Sequence, residues 1–366
     1  MSRPLRIGVD ARELLGDATG VGRYLGELLR RWTARSDAAT RTFVLFAPER
    51  LTLPFPNRTV EHRVIGTGRG TWWEQTYLRR AVKAEPLDVF FAPAYTAPLG
   101  ISVPLAVTIH DISFVAHPEW FRARSGMRRR WLTRRAADTA SVVFTDSEFS
   151  RSELERHLHL PASRIHVIPP GVTHRGIPSG SAHPAREPWV LFVGSLFNRR
   201  RIPDLLAAFA EATSDLPHTR LVIVGDDRTW PPQDLRAVAA RIGVGDRTDF
   251  LQYVADDELS MLYARAAVFG FLSEYEGFGL TPLEALSAGV PPVVLDTAVA
   301  REVYRDAAMY VTQGDIAGTA AVLRRLLLDP HSAAALLERA PAVLNRYSWD
   351  VAAEQTLAHL ERIAKP

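Results

Sequence analysis

The sequence predicts an α/β protein of two Rossmann-like domains with a cleft between them. Short apolar segments alternate with amphipathic helical ones along nearly the whole chain, the alternation that builds parallel sheets covered by helices. The length of 366 residues suits two domains of ordinary size. Between two such series lies His174 to Pro188, rich in Gly, Ser, Pro and Ala and without a hydrophobic period, which reads as a linker.

The first strand is Arg6–Asp10. A helix follows it, with Val21, Tyr24, Leu25, Leu28, Leu29 and Trp32 recurring on one face. Further strands fall at Phe43–Ala47, Leu87–Ala92, Leu105–His110, Ser141–Asp146 and Arg164–Ile168. The uncharged stretch Val89 to Ile109 is as long as a membrane span. Pro93, Pro98, Gly100 and Pro104 interrupt it, so two buried strands joined by a loop are expected instead. The second series places strands at Trp189–Gly194, Arg220–Val224, Asp249–Val254, Val268–Leu272 and Pro292–Leu295, and Trp349 to Ile363 reads as a final helix. The expected divisions are a first domain over 1–174, a linker over 175–188, a second domain over 189–345 and a terminal segment over 346–366.

Composition excludes some chemistry. There is no cysteine, hence no disulfide, thiolate metal site or cysteine nucleophile, which fits a cytoplasmic protein. Met1 to Arg6 runs directly into a strand and lacks the apolar core of a signal peptide. The net charge of +3 hides an asymmetry: residues 1–188 carry 27 Lys and Arg against 18 Asp and Glu, whereas residues 189–366 carry 17 against 23. Much of the basic excess is arginine, including Arg122, Arg124, Arg128, Arg129, Arg130, Arg134 and Arg135. Such a half suits an anionic acceptor or peripheral contact with the inner face of a membrane, and no nucleic-acid partner is expected. The alternative is a solvated arginine-rich helix packed by Trp131 and Leu132.

The densest chemistry lies between Glu276 and Glu284, which reads E-G-F-G-L-T-P-L-E after an apolar strand. Gly277 and Gly279 allow a tight turn and close approach of backbone to a ligand. A helix opens near Thr281 and Pro282, and its unpaired N–H groups suit a phosphate, while the carboxylates suit sugar hydroxyls. Glu284 has a second reading: Thr281-Pro282-Leu283-Glu284 fits a capping box that needs no ligand. Three further segments sit at strand ends, where ligands bind in open α/β sheets. They are Thr19-Gly20-Val21-Gly22-Arg23-Tyr24, Val107-Thr108-Ile109-His110-Asp111 and Phe197-Asn198-Arg199-Arg200-Arg201. Neither a D-x-D motif nor histidines at metal-ligand spacing occur.

The block from Glu276 through Pro291 resembles the E-x7-E motif of family 4 glycosyltransferases, retaining enzymes of the GT-B fold, and the likeness runs from Arg6 to the final helix. The resemblance implies a hexosyltransferase, metal-free and without a cofactor, moving mannose from GDP-mannose, or a hexose from another GDP- or UDP-sugar, to a glycan or lipid-linked acceptor. The first domain would then serve the acceptor, the second the nucleotide sugar, and the last helix would cross back onto the first domain. It assigns donor-sugar hydroxyls to Glu276 and the ribose to Glu284, with Gly277, Phe278, Gly279, Leu280 and Thr281 between them at the donor. Gly20 and Gly22 would approach the diphosphate. His110 would hydrogen-bond the sugar or steady developing charge, with Asp111 orienting it or the loop. Arg199 and Arg200 would neutralise the leaving diphosphate, with Arg200 in the place of the family's lysine. Leu272, Thr281 and Tyr253 depart from the family pattern. Two rivals stay open: a GT-B nucleotide-sugar epimerase and a non-catalytic nucleotide-sugar-binding protein.

Overall fold

The computed structural model describes residues 3–16, 20–55, 58–173 and 185–364. It divides into two compact units, one of Met1–Pro118, Ala123–Gly171 and Ser348–Pro366, the other of Glu119–Arg122 and Val172–Tyr347. The expected linker falls outside the described residues except for 185–188.

The first unit is built on seven parallel strands. These are β1 (Leu5–Asp10), β2 (Arg41–Ala47), β3 (Val60–Val64), β4 (Val89–Ala92), β5 (Leu105–Thr108), β6 (Val142–Thr145) and β7 (Ile165–Val167). They lie in the order β3-β2-β1-β4-β5-β6-β7. Ile7 and Val9 of β1 pair in register with Phe43 and Leu45 of β2, and all four are fully buried. Val89 to Ile109 does form two buried strands with a loop between them. The helix Gly20–Ala34 buries Tyr24, Leu25, Leu28, Leu29 and Trp32, as its period requires.

The final helix, Trp349–Ala364, belongs to this first unit and packs on Gly20–Ala34. Trp349, Ala352, Ala353, Leu357 and Leu360 join the same core as Ile7, Trp32 and Phe43. Polar contacts fix the register: the Trp32 indole donates to the Ala353 carbonyl at 2.8 Å, and Arg31 meets Asp350 at 2.6 Å.

The second unit has six parallel strands. They are β8 (Trp189–Val193), β9 (Arg220–Val224), β10 (Thr248–Leu251), β11 (Val268–Phe271), β12 (Pro292–Leu295) and β13 (Met309–Val311), in the order β10-β9-β8-β11-β12-β13. Phe192, Leu206, Phe209, Ile223, Phe269 and Leu323 fill its interior.

Each sheet has an edge strand that the sequence does not announce, β3 in the first and β13 in the second. Val60–Val64 reads V-E-H-R-V with no buried residue, and Met309–Val311 is three residues long. Edge strands need no continuous apolar run, because one side and often one face stay in water. In both sheets the order reverses once, between β1 and β4 and between β8 and β11. The chain leaving those strands therefore diverges at their carboxyl ends, which leaves a crevice for ligands.

Candidate active site

In the second unit, the loops after β8 and β11 bring Arg199, Arg200 and Glu276 together. Arg200 sits in a short 3-10 turn, Asn198–Arg200, that ends in left-handed geometry at Arg201. Its guanidinium Nε lies 2.8 Å from Glu276 Oε1. The Ser273 hydroxyl donates to the same Glu276 oxygen at 2.6 Å. The guanidinium also stacks 4.5 Å over the Phe271 ring, a cation–π contact in a largely desolvated place. Gly194, at φ 143°, makes room for it, since a Cβ there would sit 2.8 Å from Arg200 Nη1.

Arg199 is buried and donates from Nε to the Tyr275 carbonyl at 3.2 Å, while its own carbonyl accepts from the Glu274 amide at 2.9 Å. It therefore ties the two loops together. Arg201 is held by Glu274 at 2.5 Å and Asp204 at 2.7 Å. The three successive arginines thus have three different surroundings.

The helix after the glycine turn spans Leu280–Ser287, and Gly279 at φ 93° and ψ 75° stands at its N-cap. This corrects the capping-box reading. Left-handed Gly279 turns the chain early, so Thr281 is already helical and its buried hydroxyl has no hydrogen-bond partner among the described residues. Glu284 is 1% exposed, and the Tyr263 hydroxyl donates to its Oε2 at 3.3 Å. Phe278 packs edge-on against Tyr347 at 5.0 Å, so its side chain is a core group. Tyr304, from the helix Ala298–Tyr304, donates to the Gly279 carbonyl at 2.9 Å and fixes the turn. A small recess is lined by Phe271, Ser273, Glu276, Thr297 and Tyr304, among others.

In the first unit, His110 follows β5 at the edge of the crevice. Its Nδ1 lies 2.8 Å from Asp146 Oδ2, and its Nε2 lies 3.0 Å from the Pro93 carbonyl. Both neighbours accept hydrogen bonds, so only the imidazolium, with two N–H groups, satisfies both. Burial opposes that charge, but Asp146, by charge and hydrogen bond, holds the His110 pKa above its ordinary value. Tyr24 packs edge-on to the imidazole at 4.9 Å. Asp111 serves the loop: it accepts from Ser113 N at 2.8 Å, Ser113 Oγ at 2.6 Å and the Tyr95 hydroxyl at 3.1 Å. The residue that orients His110 is Asp146, at the end of neighbouring β6.

Gly20 opens the helix Gly20–Ala34, and a Cβ there would meet nothing within 4 Å among the described residues. Gly22 is buried in its first turn. Thr19 lies outside the described residues. Ser273, Tyr304 and Asp146 are the site residues that sequence reasoning does not single out. Ser273, three positions before Glu276, is the one a local pattern could have suggested.

On the helix Ala123–Thr139, Met127 and Trp131 are 55% and 58% exposed, and Arg124, Arg128, Arg134 and Arg135 are exposed around them. Leu132 is buried, whereas Trp131 is not, which corrects the reading in which both pack the helix. Arg129 stacks 4.4 Å over Tyr95, and Arg130 donates to the Phe114 carbonyl at 3.2 Å. Among the described residues, no helix is long and apolar enough to cross a membrane, and no three or more His, Asp or Glu residues are grouped so as to hold a metal ion.

Comparison with known proteins bears on this geometry. Residues 18–175 match the model of Glycosyltransferase Family 4, and residues 176–343 match that of Glycosyl transferases group 1. The O-antigen chain mannosyltransferase B of Escherichia coli is 29% identical over 68% of this chain and 68% of its own length. A GDP-mannose:cellobiosyl-diphosphopolyprenol alpha-mannosyltransferase of Komagataeibacter xylinus is 30% identical over 56% of this chain, and the match spans about half, 53%, of that relative. Among solved structures, WaaG, a glycosyltransferase involved in lipopolysaccharide biosynthesis, superposes with a TM-score of 0.76 at 18% identity, over 97% of this chain and 99% of its own. HepE from Anabaena, in complex with UDP-glucose, gives a TM-score of 0.74 at 19% identity, over 98% and 99%. At such identities the two structures speak to the fold alone. Between them the two family models take in nearly the whole chain, and it belongs to the family 4 glycosyltransferases, enzymes of the GT-B fold.

Proposed function

We propose that this glycosyltransferase is a retaining, metal-independent hexosyltransferase that moves mannose from GDP-mannose to a glycan or lipid-linked acceptor. The observation that carries the reading is the gathering of Glu276, Arg200 and the Gly279 turn at the switch point of the second sheet. Glu276 supplies acceptor oxygens for sugar hydroxyls, and Arg200 supplies charge for the leaving diphosphate. In this reading the arginines supply the positive charge that a divalent cation supplies in metal-dependent transfer. Mannose and GDP are favoured by the two relatives described above, both named as mannosyltransferases and one as using GDP-mannose.

Retention fits the state of Glu276. A carboxylate whose oxygen is held by Arg200 and Ser273 is a weak nucleophile and a good hydroxyl binder. The diphosphate oxygen would then take the acceptor proton as the acceptor attacks from the same face. The buried His110 imidazolium would steady negative charge rather than attack carbon. The exposed Trp131 and Met127 among arginines suit peripheral contact with an anionic membrane that holds a lipid-linked acceptor.

Incubation with a panel of nucleotide sugars, following release of free nucleoside diphosphate, tests the reading. GDP release from GDP-mannose is expected, accelerated by a lipid-linked or glycan acceptor. Release from no donor would count against it, and interconversion of the donor without an acceptor would favour the epimerase.

A further inference from the structure

We propose that Arg200 and Ser273 act as positioning residues for Glu276. Together they hold one carboxylate oxygen, turning the other toward the donor sugar, while the far side of the same guanidinium meets the diphosphate. The inference rests on the donor-binding reading above and deepens it.

Three observations support it. Both contacts converge on Glu276 Oε1: the Ser273 hydroxyl donates a hydrogen bond at 2.6 Å, and Arg200 Nε approaches to 2.8 Å as an ion pair whose N–H is not aligned for a hydrogen bond. Among the described residues, no donor reaches Oε2. The guanidinium carbon lies 4.5 Å over the Phe271 ring, and Nη1 lies beside Gly194, 2.8 Å from where a Cβ would be. Glu276 itself is only 14% exposed and Arg200 12%, so charge and hydrogen bonds act there with little screening.

An arginine suits this double use because its donors form a rigid planar fork. Nε can face one anion while the terminal nitrogens face another. A lysine keeps the charge but has a single nitrogen on a flexible stem. The chemical consequence is a coupling between the group that binds the leaving diphosphate and the group that binds the sugar. A correctly placed diphosphate then also fixes the carboxylate, with no metal ion between them.

The test uses the full chain, with Arg200→Lys, Ser273→Ala, Glu276→Gln and the two doubles Arg200→Lys/Glu276→Gln and Ser273→Ala/Glu276→Gln. Circular dichroism and thermal melting confirm folding. Calorimetry gives GDP affinity, and GDP release from GDP-mannose gives kcat; UDP and UDP-glucose replace them if the protein prefers uridine. Arg200→Lys is expected to hold GDP affinity within about threefold and to lose about tenfold or more in kcat. Ser273→Ala is expected to lose about tenfold in kcat with GDP affinity unchanged. In the Glu276→Gln background neither change should cost more than about twofold further, because the group they position is already altered. A merely structural role would not produce that dependence. Equal losses of GDP affinity and kcat in Arg200→Lys, or fully additive costs in the doubles, would overturn the proposal. A wild type that binds neither GDP nor UDP would overturn the donor reading and this inference with it, whereas binding with additive variants overturns this inference alone.

Discussion

Glu276, Arg200 and His110 are legible as single letters because each sits in a short contiguous motif, but their partners are not. Asp146 reaches His110 from a neighbouring strand, 36 residues on. Tyr304 reaches the Gly279 turn from 25 residues downstream. Only the sheet brings such residues together, so no local pattern announces them. Four predictions belong at this scale. Glu276→Gln should lower transfer by about a hundredfold or more while nucleotide binding stays largely intact, as measured by kcat and calorimetry. Glu284→Gln should instead weaken nucleotide affinity, and no helix-cap loss is expected because Thr281 does not cap. Arg200→Ala should be far more damaging to turnover than Arg201→Ala, since Arg201 is committed to Glu274 and Asp204. His110 yields a pH prediction. Its folded pKa is raised above the ordinary 6.5, so its contribution to stability is fully present below 6.5 and is lost as pH rises through the folded value. Thermal melts of wild type and Asp146→Asn should therefore differ most below that pH and converge above it. A gap that widens with rising pH would contradict the imidazolium assignment.

Whole elements are legible where apolar period and burial coincide, as in β1, β8 and the helix Gly20–Ala34. The two edge strands escape because a half-wet strand leaves little apolar signal. The start of Leu280–Ser287 is misread for a different reason: Thr-Pro-x-Glu is a sound cap in isolation, but a left-handed Gly279 pre-empts it. Gly279→Ala should be strongly destabilising, because the site combines a positive φ with the Tyr304 hydroxyl 2.1 Å from where the Cβ would lie. The same variant should lose donor binding, which calorimetry and melting together would reveal. For the final helix, Leu360→Ala at a fully buried position should cost about 2–5 kcal/mol, read by denaturant unfolding. The arginine-rich helix should sediment with anionic liposomes and not with neutral ones, less so at high salt, and Trp131→Ser should weaken that binding. Equal failure with both liposomes would point to a soluble acceptor.

At the scale of the molecule, the first six strands of the first sheet follow the same order as the six of the second; in the second unit Arg200 and Glu276 follow β8 and β11, on either side of the reversal, whereas in the first Gly20 follows β1 and His110 follows β5. The alternation of strands and helices made this arrangement readable. The pairing of its parts was not, because sheet order is decided by contacts between segments far apart in sequence. The central claim is that Glu276 and the arginines turn over a nucleotide sugar without a divalent cation. The most direct measurement is release of GDP from GDP-mannose in excess chelator, by wild type and by Glu276→Gln side by side. Wild-type release unchanged by chelator and nearly abolished in the variant is the predicted result. Strict dependence on added magnesium or manganese, or a variant as active as wild type, would contradict it.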